Sequence, residues 1–121
     1  LNGLVERTGY LFQVWLPAAD GRAVAESRTG GVGSSAPDPA NSEKVFAIYA
    51  WPMRRGTTGN RAFLVTQDGD IFATANTKQR YSGRLAAPSP YAAFPKGVTT
   101  LGYLPHVLPP SNDRGAWKAL Q

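Results

Sequence analysis

The stretch VFAIYAWP (residues 45–52), MRRGTTGN (53–60), RAFLVT (61–66), QDGD (67–70) and IFATA (71–75) decides how this chain folds. Three short apolar runs, rich in β-branched and aromatic residues, alternate with strong turn signals, which is the pattern of consecutive strands. Asp68-Gly69 lies between two of the runs and predicts a two-residue hairpin, because both central residues of such a turn need positive φ. That turn pairs Gln67 with Asp70, Thr66 with Ile71, Val65 with Phe72, Leu64 with Ala73 and Phe63 with Thr74. On this register Phe63, Val65 and Phe72 share one face, and Leu64, Ile71 and Ala73 share the other. Neither face is polar, so the sheet is expected to be covered on both sides.

Working outward, Leu1 to Thr8 is a short helical or extended lead. The run from Gly9 to Leu16 (GYLFQVWL) ends at Pro17 and reads as a strand. The reading is therefore a mainly β fold, with a four-stranded antiparallel sheet over about residues 9–16, 45–51, 61–67 and 70–75. The segment from Ala23 to Ser27 holds a turn of helix on this reading. A long Gly-, Ser- and Pro-rich connection follows up to Lys44. Beyond Asn76 the prolines at 88, 90, 95, 105, 109 and 110 exclude a regular helix and limit ladder pairing. The tail is apolar all the same, through Tyr91, Phe94, Leu101, Tyr103, Leu104, Val107 and Leu108, and reads as extended chain laid across an apolar surface. Gly115 to Gln121 is expected to form a last helical turn anchored by Trp117.

The chain has 121 residues, enough for one domain and one core, and its 13 Gly and 10 Pro favour strands and turns. It has no Cys, so thiolate nucleophiles, disulfides and zinc–thiolate sites are excluded. No apolar run reaches the roughly 20 residues that span a bilayer. The net charge is +5, but the basic residues are scattered in sequence, which reads as solvation before it reads as a nucleic-acid site. His106, the only histidine, sits in the proline-rich tail with no marked serine partner and no G-x-S-x-G sequence. Asp68 and Asp70 are accounted for by the hairpin turn without a metal, which would need six or more oxygens. Gly30 to Ser35 lacks the Lys-Ser/Thr of a phosphate-binding loop. The expectation is no enzyme, no cofactor and no metal.

No window carries helical periodicity over ten residues, and a four-stranded sheet cannot cover both of its own faces. The tail is expected to cover one side. The other asks for a helix that these residues do not encode.

Four motifs in order carry a resemblance: Gly9-Tyr10-x-Phe12, Phe46-Ala47-x-x-Ala50-x-Pro52, Gly56-x-Thr58-Gly59-x-x-x-Phe63, and Gln67-Asp68-Gly69. Together they resemble the globular head of type IV pilin-like proteins, over a little more than half of the chain. The resemblance implies an antiparallel sheet packed on a long helix. That helix would come from a removed N-terminal segment or, as in a split pilin, from a short separate chain. It also implies an extracellular, cell-surface filament built from many copies of the subunit, alike or mixed. The disulfide usual near a pilin C-terminus is absent, so the tail must be held by packing.

Interface candidates on this reading are Trp15, Tyr49 and Trp51 on one sheet face and Tyr91, Phe94 and Tyr103 in the tail. Arg54, Arg55 and Lys78 are candidates for charged contacts between neighbouring heads. The rival reading is a secreted binding module for DNA or another polyanion, in which aromatics interleaved with arginines form stacking platforms.

Overall fold

The computed structural model describes residues 4–25, 45–98, 101 and 111–120, and it is mainly β, with an antiparallel sheet and no helix among the described residues. The strands are β1 (Leu4–Arg7), β2 (Tyr10–Pro17), β3 (Ala23–Ala25), β4 (Ala47–Pro52), β5 (Ala62–Thr66), β6 (Ile71–Thr74) and β7 (Lys118–Ala119). The sheet has seven strands rather than four, in the order β1-β2-β4-β5-β6-β7. β3 shares one edge of β2 with β1: Tyr10 to Gln13 pair with β1, and Trp15 to Pro17 pair with β3.

Three expectations are corrected. The Asp68-Gly69 hairpin forms, but one residue out of the expected register: Val65 pairs with Ile71, Leu64 with Phe72 and Phe63 with Ala73. Gly69 has φ +80° and its N–H donates to Thr66 O at 2.9 Å, so the loop is a three-residue turn ending in a left-handed glycine. A one-residue slip exchanges faces. Leu64 and Phe72 therefore point to one side, and Phe63, Val65, Ile71 and Ala73 to the other. The turn of helix expected at Ala23 is instead strand β3. A second Asp-Gly pair starts it: Asp20 Oδ1 accepts from Arg22 N at 3.0 Å, and Gly21 sits at φ +88°. The helical turn expected near the C-terminus is instead extended as β7, paired through Phe72 with Ala119 and Ala73 with Lys118.

One face of the sheet is closed by the chain itself. Leu11, Tyr49, Trp51, Leu64 and Phe72 are buried against Tyr81, Ala92, Ala93, Phe94, Leu101 and Trp117. The proline-broken segment pairs with itself only in turns and isolated bridges, such as Ser82 with Ala86 and Pro95 with Ser111, so its remaining polar backbone groups need other partners. Side chains of the sheet and of the segment itself supply them. The Tyr49 hydroxyl donates to Pro90 O at 2.9 Å and accepts from Ala93 N at 3.2 Å. Trp51 Nε1 donates to Gly83 O at 2.8 Å, and Tyr91 Oη accepts from Ala23 N at 2.9 Å. Asn112 Nδ2 donates to Tyr91 O and Val98 O, and Oδ1 accepts from Gly97 N.

The glycines of the quoted motifs meet in space. The β1–β2 turn is Thr8-Gly9, both at positive φ, and it crosses the β4–β5 loop. A Cβ on Gly9 would lie 2.8 Å from Thr58 Cβ, and one on Gly59 would fall on the Tyr10 phenol, 2.6 Å from its Cε1. Each glycine thus admits a side chain of the other loop. Gly59→Ala is expected to lower stability by about 1–3 kcal/mol, the usual range for overpacking, in a urea titration. Adding Tyr10→Ala should relieve part of that penalty, because the ring is the obstacle; equal, additive losses would refute the crossing.

Candidate functional site

The opposite face of the sheet is apolar and has no cover among the described residues. Successive strands lay their residues across it in rows. One row is Val14, Ile48, Val65 and Ile71, in which every neighbour is β-branched. The next is Phe12, Ala50, Phe63 and Ala73, in which large and small side chains alternate. Ala50 between two phenylalanines makes a dip. The resulting trough of about 380 Å³ runs obliquely from Thr8 and Tyr10, past Ala50, to Ile71 and Leu120. Tyr10 and Phe63 form one wall with ring centroids 6.1 Å apart, and the Arg61 guanidinium lies 5.2 Å from the Phe63 ring centroid. Ile71 and Leu120 remain 44% and 45% exposed, and Val5, paired with Phe12, 46%. An apolar surface this continuous marks an interaction site, since isolated exposed apolar residues are ordinary but a contiguous patch is not.

The expected interface residues fall differently. Tyr49, Trp51 and Phe94 are buried in the chain's own core, under the C-terminal segments. Trp15 lies half-buried on that same covered face, paired with Ala47. Tyr91 is half-buried, with its hydroxyl engaged by Ala23 N. Tyr103 lies outside the described residues, as do His106 and the glycine-rich run at 30–35. Arg54 and Lys78 are exposed, while Arg55 is half-buried and donates from Nε to Asn76 O at 2.8 Å. The residues that sequence reasoning missed are Ile48, Val65 and Ile71, whose alternation with Tyr49, Leu64 and Phe72 was the available signal.

A carboxylate holds the covered face together. Asp113 collects four donors: Tyr81 Oη at 2.8 Å, Ser111 Oγ at 2.6 Å, Gly115 N at 2.8 Å and Trp117 Nε1 at 3.0 Å. Every side chain that meets it donates, so the group satisfies a bend of the chain rather than presenting a base to solvent. Burial pushes the Tyr81 phenol well above its ordinary value, and the Asp113 charge and hydrogen bond add to this. Burial does the same to Tyr49 more than its bond to Ala93 offsets. Among the described residues no group of three or more His, Cys, Asp or Glu is placed to hold a metal ion.

Two outcomes follow. Tyr49 and Tyr81 stay neutral in the folded chain while unfolded tyrosine ionises near pH 10, so the unfolded state sheds protons first. Stability that is fully present below pH 10 is therefore lost as pH rises above it. Absorbance at 295 nm should show these two phenols ionising only together with unfolding, and Tyr49→Phe with Tyr81→Phe should remove that coupled step. Asp113→Ala should cost on the order of 3 kcal/mol and release the Trp117 fluorescence toward its solvent-exposed value, because four donors lose their acceptor. Comparison with protein-family models, curated proteins and solved structures gives no match for this chain.

Proposed function

We propose that this chain is the globular head of a subunit of an extracellular type IV pilus-like filament, a structural protein rather than an enzyme. The open face of its sheet seats an apolar helix, supplied by a removed N-terminal segment or by a short separate chain. The observation that carries this reading is the one-sidedness of the sheet. Its own C-terminal segments close the face of Tyr49, Trp51 and Leu64, while the face of Phe12, Ile48, Phe63 and Val65 has no cover among the described residues.

The dimensions suit a helix. Strands lie about 4.8 Å apart, so the four strands of the trough span roughly 14 Å, slightly more than the 10–12 Å diameter of a helix with its side chains. The trough is oblique and dips at Ala50, which fits a cylinder with a large residue over the dip. Among the described residues, the charges that reach this face stand at its margins: Arg7 opposite Tyr10, Lys118 opposite Ala73, and Arg61, just before β5, over the Phe63 ring. The occupant is therefore apolar along its length of contact. In the filament such helices would form the shaft, and heads of this kind would coat it, one copy against the next.

A photo-crosslinking residue in place of Phe63, in the producing cells, tests the seat. The expected adduct is an apolar helical segment of 15 or more residues, from the same polypeptide or from a short partner, and it should vanish when Ile48→Asp is added. No adduct, together with a monodisperse monomer that unfolds cooperatively by itself, would sink the proposal.

A further inference from the structure

The fold gathers basic residues that the sequence scatters. The β1–β2 turn, the β4–β5 loop and residues 75–86 all lie at the same end of the sheet, because β2 begins there, β4 ends, β5 begins and β6 ends. The three loops are tied to one another. Met53 N donates to Gly9 O at 2.8 Å, Arg55 N to Ser82 Oγ at 3.0 Å, Gly83 N to Pro52 O at 2.9 Å and Asn76 Nδ2 to Asn60 O at 3.0 Å.

The first loop brings Arg7. The second brings Arg54, Arg55 and Arg61. The third brings Lys78, Arg80 and Arg84. That is seven of the chain's 13 Lys and Arg, and none of the seven is in an ion pair. Among the described residues the acids near them are Glu6 and Asp113, and Asp113 has both oxygens committed internally. Asp20, Asp68 and Asp70 sit at the far end, where Arg22 is paired with Asp20. Six of the seven are arginines, whose planar fork matches phosphate oxygens.

We infer that this end of the sheet is a binding surface for the phosphate backbone of duplex nucleic acid, read without regard to base sequence. The inference is independent of whether a helix fills the trough. A duplex is favoured over a single strand because no aromatic ring stands exposed among the arginines of the three described loops: Trp51 and Tyr81 are buried beneath this end, and Tyr10 and Phe63 are half-buried, packed on each other, with Arg61 over the Phe63 ring. It is favoured over a membrane because, among the described residues of these three loops, Leu85 is the one large apolar side chain that stands exposed. Peripheral membrane sites present a broader apolar face.

The test is fluorescence anisotropy of the soluble chain with a labelled 20-bp duplex, from 50 to 200 mM salt. Engagement of about four phosphates corresponds to a slope of log K on log salt of about −3.6, which is a loss of roughly 150-fold over that range. Arg54→Ala with Arg84→Ala should weaken binding at least tenfold and reduce the slope by about 2. Lys96→Ala with Arg22→Ala removes the same charge elsewhere and should change affinity less than twofold. Melting curves establish that both pairs fold.

Equal losses in the two pairs would make the effect one of net charge and overturn the inference. So would a salt-independent affinity, or no binding at 50 mM. Tighter binding to a single strand of equal length, or to a sulfated polysaccharide at equal charge, would overturn the duplex assignment. Capture by anionic vesicles that is lost in Leu85→Ser, without duplex binding, would assign the surface to lipid instead.

Discussion

The rest of this structure depends on a proline-rich segment finding partners for a backbone that pairs with itself only in turns and isolated bridges. Fewer N–H groups and awkward φ angles keep residues 76–98 and 111–117 from adding long strands to the sheet. Aromatic side chains on one sheet face meet the need. Tyr49 and Trp51 are wholly buried, yet each carries a polar tip that reaches a carbonyl of the overlying chain. Their rings provide the apolar contact and their tips provide the hydrogen bonds, so the same residues drive burial and remove its cost. Asn76, Asn112 and Asp113 complete the arrangement where the chain bends away from the sheet.

That arrangement uses up one face. The chain's other large residues at strand positions, Phe12, Ile48, Phe63 and Val65, are left in rows without cover among the described residues. One-sidedness is thus a consequence of how the tail is satisfied. It also separates the strand aromatics: Tyr49, Trp51 and Phe72 lie inside, under the tail, while Tyr10, Phe12 and Phe63 line the trough.

Much of this was legible from residue pattern, and the failures are instructive. The four long strands were visible as apolar runs between turn residues, and the antiparallel order of the last three followed from their short connections. Asp68-Gly69 marked its hairpin, but a dipeptide does not distinguish a two-residue turn from a three-residue one ending in left-handed glycine. Ile71, Phe72 and Ala73 were consequently placed on the wrong faces relative to Phe63 and Leu64. The other Asp-Gly pair, at Asp20, was equally visible and would have indicated β3, whose three residues are too few to show alternation. β7 has two residues and owes its existence to the edge of β6, so no local signal marks it. Tyr49 and Trp51 read as interface residues because sequence gives burial without saying by what. The basic end was invisible for a different reason: Arg7, Arg61 and Arg84 are far apart in the chain, and only the strand order makes them neighbours.

The crossing of Gly9 with Thr58, and of Gly59 with Tyr10, sets the alignment of β2 on β4 from one end of the pair. Both contacts need a position without a Cβ, so the pairing of the two longest strands rests on two atoms that are missing rather than on any that are present.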